Sequence, residues 1–384
     1  MNDETGITIG ARVTSENHPE NQPKMVASNS FDRKGLEGYL SRFLEMPVQV
    51  KSISPLAGYG SRKVATSRCA FQIDYEGGGL RGRAVLETET PDPESRVASP
   101  QDDLEAANPV SPIPRHARKL AVDGVESVDG LLFPNGEKTH FSVAEFAEGR
   151  AYGEDLVRLK LEGLPTSLDH ERAEALADHL VWIHQERGPD PRIYDRRVRE
   201  LLVQADGIPG LLDEYPPQEG HLIPELLEHL EHRCLKWRWR LKSRTDRLRR
   251  VHGDFHPWNL LFRDGTDFTV LDRSRIQWGE PADDVACLTM NFLSFALQSQ
   301  GESRQKLIEL FGRFWNRYLE RSGDAEMLDV AAPFLVRHAL SLASPVWYPW
   351  MNPKVRHGLF SFMFRVLEAP RFDPSRVEEI LRED

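Results

Sequence analysis

A chain of 384 residues, 40% hydrophobic and 28% charged, has room for two lobes around a substantial core. Its net charge of −11 disfavours nucleic acid as the main partner, and no apolar run is long enough to span a bilayer, so no nucleic-acid or membrane partner is expected. Cys69, Cys234 and Cys287 are far apart and odd in number, suggesting neither a disulfide framework nor a zinc knuckle. With an N-terminus that lacks a signal-peptide pattern, they point to the cytoplasm.

Residues 1–30 are polar and aperiodic and read as a disordered tail. From Val48 the pattern turns β-like: VQVKSISPLAGYG, VATSRCAFQIDYEGG and LRGRAVLETET are rich in β-branched residues and separated by Gly-bearing turns. GVESVDGLLF and HFSVAEF continue it after a Pro-rich stretch. The character changes after Glu148-Gly149. The expected organisation is therefore a tail (1–30), a β-rich N-lobe (31–148) and a larger, mainly helical C-lobe (149–384), an α+β chain of two lobes.

Beyond the change, DHERAEALADHLVWIHQ places Ala173, Leu176, Ala177, Leu180, Val181 and His184 on one helical face, with Ser167 or Asp169 as the cap. His184 reads as a hydrogen-bonded core residue rather than a ligand. LIPELLEHLEHRCLKWRWRLKSRTDRLRR predicts one long helix carrying Ile223, Leu227, Leu230, Cys234, Trp237, Leu241 and Leu248. Its basic run, Lys236 to Arg250, reads as a solvated face.

The most informative stretch is VHGDFHPWNLLFRDGTDFTVLDRSR, Val251 to Arg275. Asp264-Gly265 between two apolar runs predicts a hairpin. Pairing the runs brings Asn259, just before the first strand, beside Asp272, just after the second. A carboxamide next to a carboxylate makes an oxygen-rich site suited to Mg²⁺. Asp254 lies five residues before Asn259 on the loop entering the hairpin, where a base could meet an incoming hydroxyl.

HGDFHPWN, then VLD, then GEPADDVA resemble the signature of the aminoglycoside phosphotransferase family, whose members have a protein-kinase-like fold. EFAEGRAY resembles that family's hinge and LADHLVWIHQ its first long C-lobe helix. The resemblance implies Asp254 as the base, Asn259 and Asp272 as metal ligands, and His252 and Asp284 as braces of the catalytic loop. It also implies ATP or GTP as co-substrate, met by Gly58, Gly60, Ser61, Glu145 and Ala147; Arg83 is a candidate for the same side from strand alternation, as a substitute for the family's phosphate-holding lysine. Only Arg273 to Ala282 separate Asp272 from Asp283-Asp284, too few for a peptide-docking segment, and Gly253 stands where many protein kinases carry an arginine. A small hydroxylated acceptor fits better, with Trp347, Tyr348 and Trp350 available to line its pocket. The sequence sets neither the acceptor nor the oligomeric state.

The N-lobe departs from the pattern. Glu87 stands where kinases use a phosphate-holding lysine; Arg81 and Arg83 share its strand face. Glu105 is a candidate for the lysine's usual partner. Two rival readings follow: a pseudokinase or nucleotide sensor, from Glu87, and a metal-dependent hydrolase, from His252, Asp254, His256 and Asp272 as a ligand set.

Overall fold

The computed structural model describes residues 33–56, 68–89, 114–117, 119–122, 140–163, 165–204, 207–216, 224–272 and 277–381. The tail, the glycine segment Gly58 to Ser61, Glu105, the stretch GVESVDGLLF and Ile223 lie outside them.

The first element is helix α1, Arg33–Phe43, which the strand-like reading of this end does not anticipate. It buries Leu36 and Leu40 against the strands that follow. These are β1 (Val48–Pro55), β2 (Arg68–Gly77), β3 (Leu80–Glu89), β4 (Lys119–Val122) and β5 (His140–Glu145). They form one antiparallel sheet in the order β1-β2-β3-β5-β4. Strand alternation sends Phe71, Ile73, Ala84, Leu86 and Val143 into a small core with α1. Arg81, Arg83 and Glu87 take the other face of β3.

Helices take over after β6, Arg150–Ala151. The longer ones are α2 (Tyr152–Glu162), α3 (Ser167–Ile183), α4 (Arg192–Leu202), α5 (Pro224–Leu241), α6 (Pro281–Leu297), α7 (Gly301–Ser322), α8 (Ala332–Ala343) and α9 (Pro353–Glu368). Among them run β7 (Arg249–Arg250), β8 (Leu260–Phe262), β9 (Phe268–Val270) and β10 (Trp278–Gly279). The chain is thus an α+β protein with a small antiparallel N-lobe and a helical C-lobe. Helix α6 is apolar nearly all round and buried along almost its whole length. Full burial of side chains such as Leu288, Phe292 and Leu293 contributes about 1.5–3 kcal/mol each.

Three expectations need correction. The cap of α3 is Thr166, not Ser167 or Asp169; Asp169 sits at the third helical position and completes a capping box, accepting from the Thr166 backbone N–H at 2.7 Å. Helix α5 ends at Leu241, so Leu248 is not part of it. The basic run is not uniformly solvated either. Buried Arg247 is held by Glu280 (2.7 Å) and Asp324 (2.8 Å), and buried Arg250 by Glu186 (2.7 Å). These ion pairs and the pairing of β7 with β10 outcompete continued helical hydrogen bonding.

Candidate active site

The predicted hairpin forms with Leu260 opposite Val270 and Phe262 opposite Phe268. Its turn spans Arg263 to Asp267, closed by the Arg263 N–H donating to the Asp267 carbonyl (2.9 Å), with Gly265 at φ +60°. Arg172 of α3 anchors the turn, donating to the Gly265 (2.9 Å) and Arg263 (3.0 Å) carbonyls while paired with Asp155 (2.5 Å). Gly149 lets the chain between the lobes press on β8: a Cβ there would lie 2.9 Å from Phe262 O, and φ is +146°.

At the open end of the hairpin the Leu271 N–H donates to the Asn259 carbonyl (2.7 Å), which sets Asp272 beside Asn259. Asp272 turns out of the strand at φ +46°, in the left-handed region that aspartate tolerates better than most residues. The Asn259 Nδ2 donates to the Asp254 carbonyl (3.0 Å), so that loop and hairpin are tied across the site.

Asp284, buried at the start of α6, accepts the backbone N–H of His252 (2.7 Å) on one oxygen and that of Gly253 (2.8 Å) on the other. His184 adds a contact at 3.2 Å and reaches Tyr318 of α7 on its other nitrogen (2.8 Å). Burial alone would raise the Asp284 carboxyl pKa; the bonds from His184 and the His252 backbone outweigh it and hold it below the usual range. Gly253 has φ +87°, so the site where an arginine is absent is one where only glycine sits without strain.

Backbone contacts also set two histidine tautomers. His252 Nδ1 accepts the Asp254 N–H (3.2 Å), which places the proton on Nε2, donated to the Leu271 carbonyl (3.0 Å). His256 Nδ1 accepts the Trp258 N–H (3.2 Å), so its Nε2 proton faces the Asp254 carboxylate at 3.7 Å. That role for His256 was not anticipated, although its place two residues after Asp254 was the available signal.

On the far side stands Tyr348, half-buried, its hydroxyl pushed up to about 12 by burial and then by the charges of Asp254 and Cys287. Burial, with Asp254, Asp283 and Asp284 nearby, also pushes the Cys287 thiol up. Trp347 donates through its indole N–H to Glu214 (3.1 Å), which also accepts from Ser344 (2.5 Å). Trp350 is 57% exposed and meets Tyr348 edge-on at 6.1 Å. Glu214 had no signal in the sequence, since 133 positions separate it from Trp347.

The N-lobe candidates lie elsewhere. Arg83 pairs with Glu148 and stacks over Phe146 (4.3 Å). Arg81 pairs with Glu76 (3.1 Å), and Glu87 accepts from Ser142 Oγ (3.1 Å). Glu145 ends β5 opposite Ala84, and Ala147 follows it on the way to Gly149. Among the described residues, no group of three or more His, Cys, Asp or Glu is arranged to hold a metal ion, and no helix is long and apolar enough to cross a membrane.

A small antiparallel lobe joined to a helical lobe, with a clamped loop leading into a short hairpin, defines a kinase-like protein. Residues 96–327 match the family model described as the APH phosphotransferase enzyme family, and the chain belongs to that family. The match leaves β1 to β3 outside it.

No curated protein matches. Among solved structures, amicoumacin kinase hAmiN, in complex with AMP-PNP, Ca²⁺ and Ami, is 15% identical over 85% of this chain and 91% of its own, with a TM-score of 0.53. Choline kinase from Cryptosporidium parvum Iowa II is 13% identical over 87% and 91%, with a TM-score of 0.49. Aminoglycoside phosphotransferase APH(3'')-Id from Streptomyces rimosus is 16% identical over 77% and 93%, with a TM-score of 0.45. At these identities the first likeness speaks to the fold alone.

Proposed function

We propose that this chain transfers the γ-phosphoryl group of ATP, or of another nucleoside triphosphate such as GTP, to a hydroxyl of a small molecule. The observation that carries the reading is the convergence of Asp254, Asn259 and Asp272 at the open end of one hairpin, on a loop whose backbone Asp284 clamps. In this reading residues 31–148 serve the nucleotide and residues 149–384 carry catalysis and the acceptor.

Asp254 takes the proton of the acceptor hydroxyl. His256, its Nε2 proton turned toward that carboxylate, steadies the charged form. The donor set suits Mg²⁺. Because Asn259 spends its Nδ2 on the Asp254 carbonyl, its amide oxygen is the end left over, next to the Asp272 carboxylate; both are hard oxygen donors. When bound, the ion neutralises charge on the phosphate oxygens. Trp347, Tyr348 and Trp350 bound the acceptor side. Glu145, Ala147, Arg83 and the segment Gly58, Gly60 and Ser61 serve the nucleotide side.

Incubation with Mg²⁺, ATP or GTP and a panel of amino alcohols, sugars and aminoglycosides tests the reading by ³¹P NMR. A new phosphomonoester that requires both nucleotide and acceptor is expected. Nucleotide binding with no transfer to any hydroxyl would favour the nucleotide-sensing reading that Glu87 motivates. The hydrolase reading has less support, because both His252 ring nitrogens are already engaged by backbone groups.

A further inference from the structure

Helix α5 carries a feature the proposed chemistry does not use. Its core side is defined by Leu230, Cys234, Trp237 and Leu241, all buried. At 3.6 residues per turn the opposite side centres on Trp239 and Leu235, which are 59% and 40% exposed. Cations flank this apolar strip: Arg238 stacks over the Trp239 ring at 4.3 Å and Lys242 at 4.9 Å, Lys236 stands exposed beside it, and Arg240, also exposed, covers the Trp237 ring (4.8 Å) on the flank toward the core. Between Arg233 and Arg244 the chain has six cations and no carboxylate, in a protein of net charge −11. A shallow groove of about 430 Å³, lined by His229, His232, Arg233, Leu235, Lys236 and Trp239, opens on the same side.

Cations near a helix C-terminus complement its dipole, which accounts for part of the charge. That effect falls off within the last turn and gives no reason to expose an indole and a leucine one turn apart. Among the described residues, none of Lys236, Arg238, Arg240 and Lys242 is in an ion pair, so their charge stays available to a partner.

We infer that this face of α5 docks the protein on an anionic lipid surface. A half-immersed indole with a neighbouring leucine suits the boundary between headgroups and acyl chains, and the flanking cations match acidic headgroups. Nucleic acid would use the same charge but would not need the leucine, and its aromatic contacts would be stacking platforms rather than a ring already covered by Arg238 and Lys242. The docking is peripheral and reversible, since one helix face supplies a limited apolar area. It departs from the plain solvated face and the absent membrane partner expected from the sequence.

The test is flotation of the full-length protein with vesicles of phosphatidylcholine alone or mixed with phosphatidylserine, with single-stranded RNA as a competing probe. Binding to the mixed vesicles only, suppressed at ~1 M salt where screening is nearly complete, is expected. Each basic residue near such a surface adds about fivefold in partitioning, so Lys236→Gln, Arg240→Gln and Lys242→Gln together should weaken it by about a hundredfold. Trp239→Ala should cost on the order of tenfold. Thermal unfolding of each variant checks that the fold persists. No flotation with the acidic vesicles, flotation undiminished in the triple variant, or RNA binding that displaces the lipid and ignores Trp239→Ala would each overturn the inference.

Discussion

Single residues decide the geometry of the catalytic loop. Gly253 at φ +87° and Asp284 with both oxygens committed form one device, because the Gly253 N–H meets the carboxylate (2.8 Å) from that backbone conformation. Gly253→Ala forces a side chain into a left-handed conformation, at a cost of roughly 1–2 kcal/mol. It should also lower turnover by disturbing Asp254; denaturant unfolding and steady-state kinetics check the two effects. Asp284→Asn leaves one backbone N–H facing an amide nitrogen and should cost about 3 kcal/mol with a turnover loss of at least tenfold. The hairpin that carries Asn259 at one end and Asp272 at the other was legible in the sequence because strand register and turn chemistry are local. The approach of Tyr348 to Asp254 was not, since it depends on how α8 packs on α6, and no local pattern encodes that.

At the scale of elements, periodicity located α3 but missed its cap, because Thr166, Ser167 and Asp169 are all good capping residues and only the backbone at Thr166 decides among them. Thr166→Ala should lower stability by about 1 kcal/mol, measured by chemical denaturation. The end of α5 was illegible for a different reason: the apolar positions run on in phase to Leu248, while the pull of Glu280 and Asp324 on Arg247 is a tertiary effect. Helix α3 also buries His179, which lies nearly parallel to Phe255 (19°) at 5.9 Å and edge-on to Phe268 at 5.2 Å. Burial first, and then the proximity of His252 and Arg115, pushes its pKa from 6.5 down to about 3. The unfolded chain therefore binds a proton that the folded chain refuses, and stability is lost as pH falls from 6.5 toward 3. His179→Phe should remove about 2 kcal/mol of the loss between pH 6.5 and 5. Urea titrations of both proteins at the two pH values would show an unchanged difference if His179 were protonated when folded.

For the whole molecule, the two-lobed outline followed from the shift of pattern near Glu148, and that shift marks where strands give way to helices. Among the described residues the contacts across it are made by backbone, rings and charge: the Ala117 N–H donates to the Val270 carbonyl (2.9 Å), the Val270 N–H to the Arg115 carbonyl (2.7 Å), and the His116 ring lies 5.8 Å from that of His252. Arg115 meets Asp267 (3.3 Å) and the Phe268 ring (4.6 Å), and Arg263 donates to the Glu148 carbonyl (3.3 Å). Arg83 belongs to this set through Glu148, so Arg83→Ala probes the junction and the nucleotide side together. If Arg83 replaces the usual lysine, its loss should weaken Mg·ATP binding about tenfold or more, read by calorimetry, while Glu87→Lys changes little. Tighter binding by Glu87→Lys with no effect of Arg83→Ala would assign the chain to nucleotide sensing. The central claim is that Asp254 takes the acceptor proton in a phosphoryl transfer. It is tested most directly by comparing single-turnover transfer from Mg·ATP in the wild type and Asp254→Asn at saturating nucleotide. Transfer slowed by about a hundredfold with nucleotide affinity unchanged is the predicted result; a wild-type rate in the variant would contradict it.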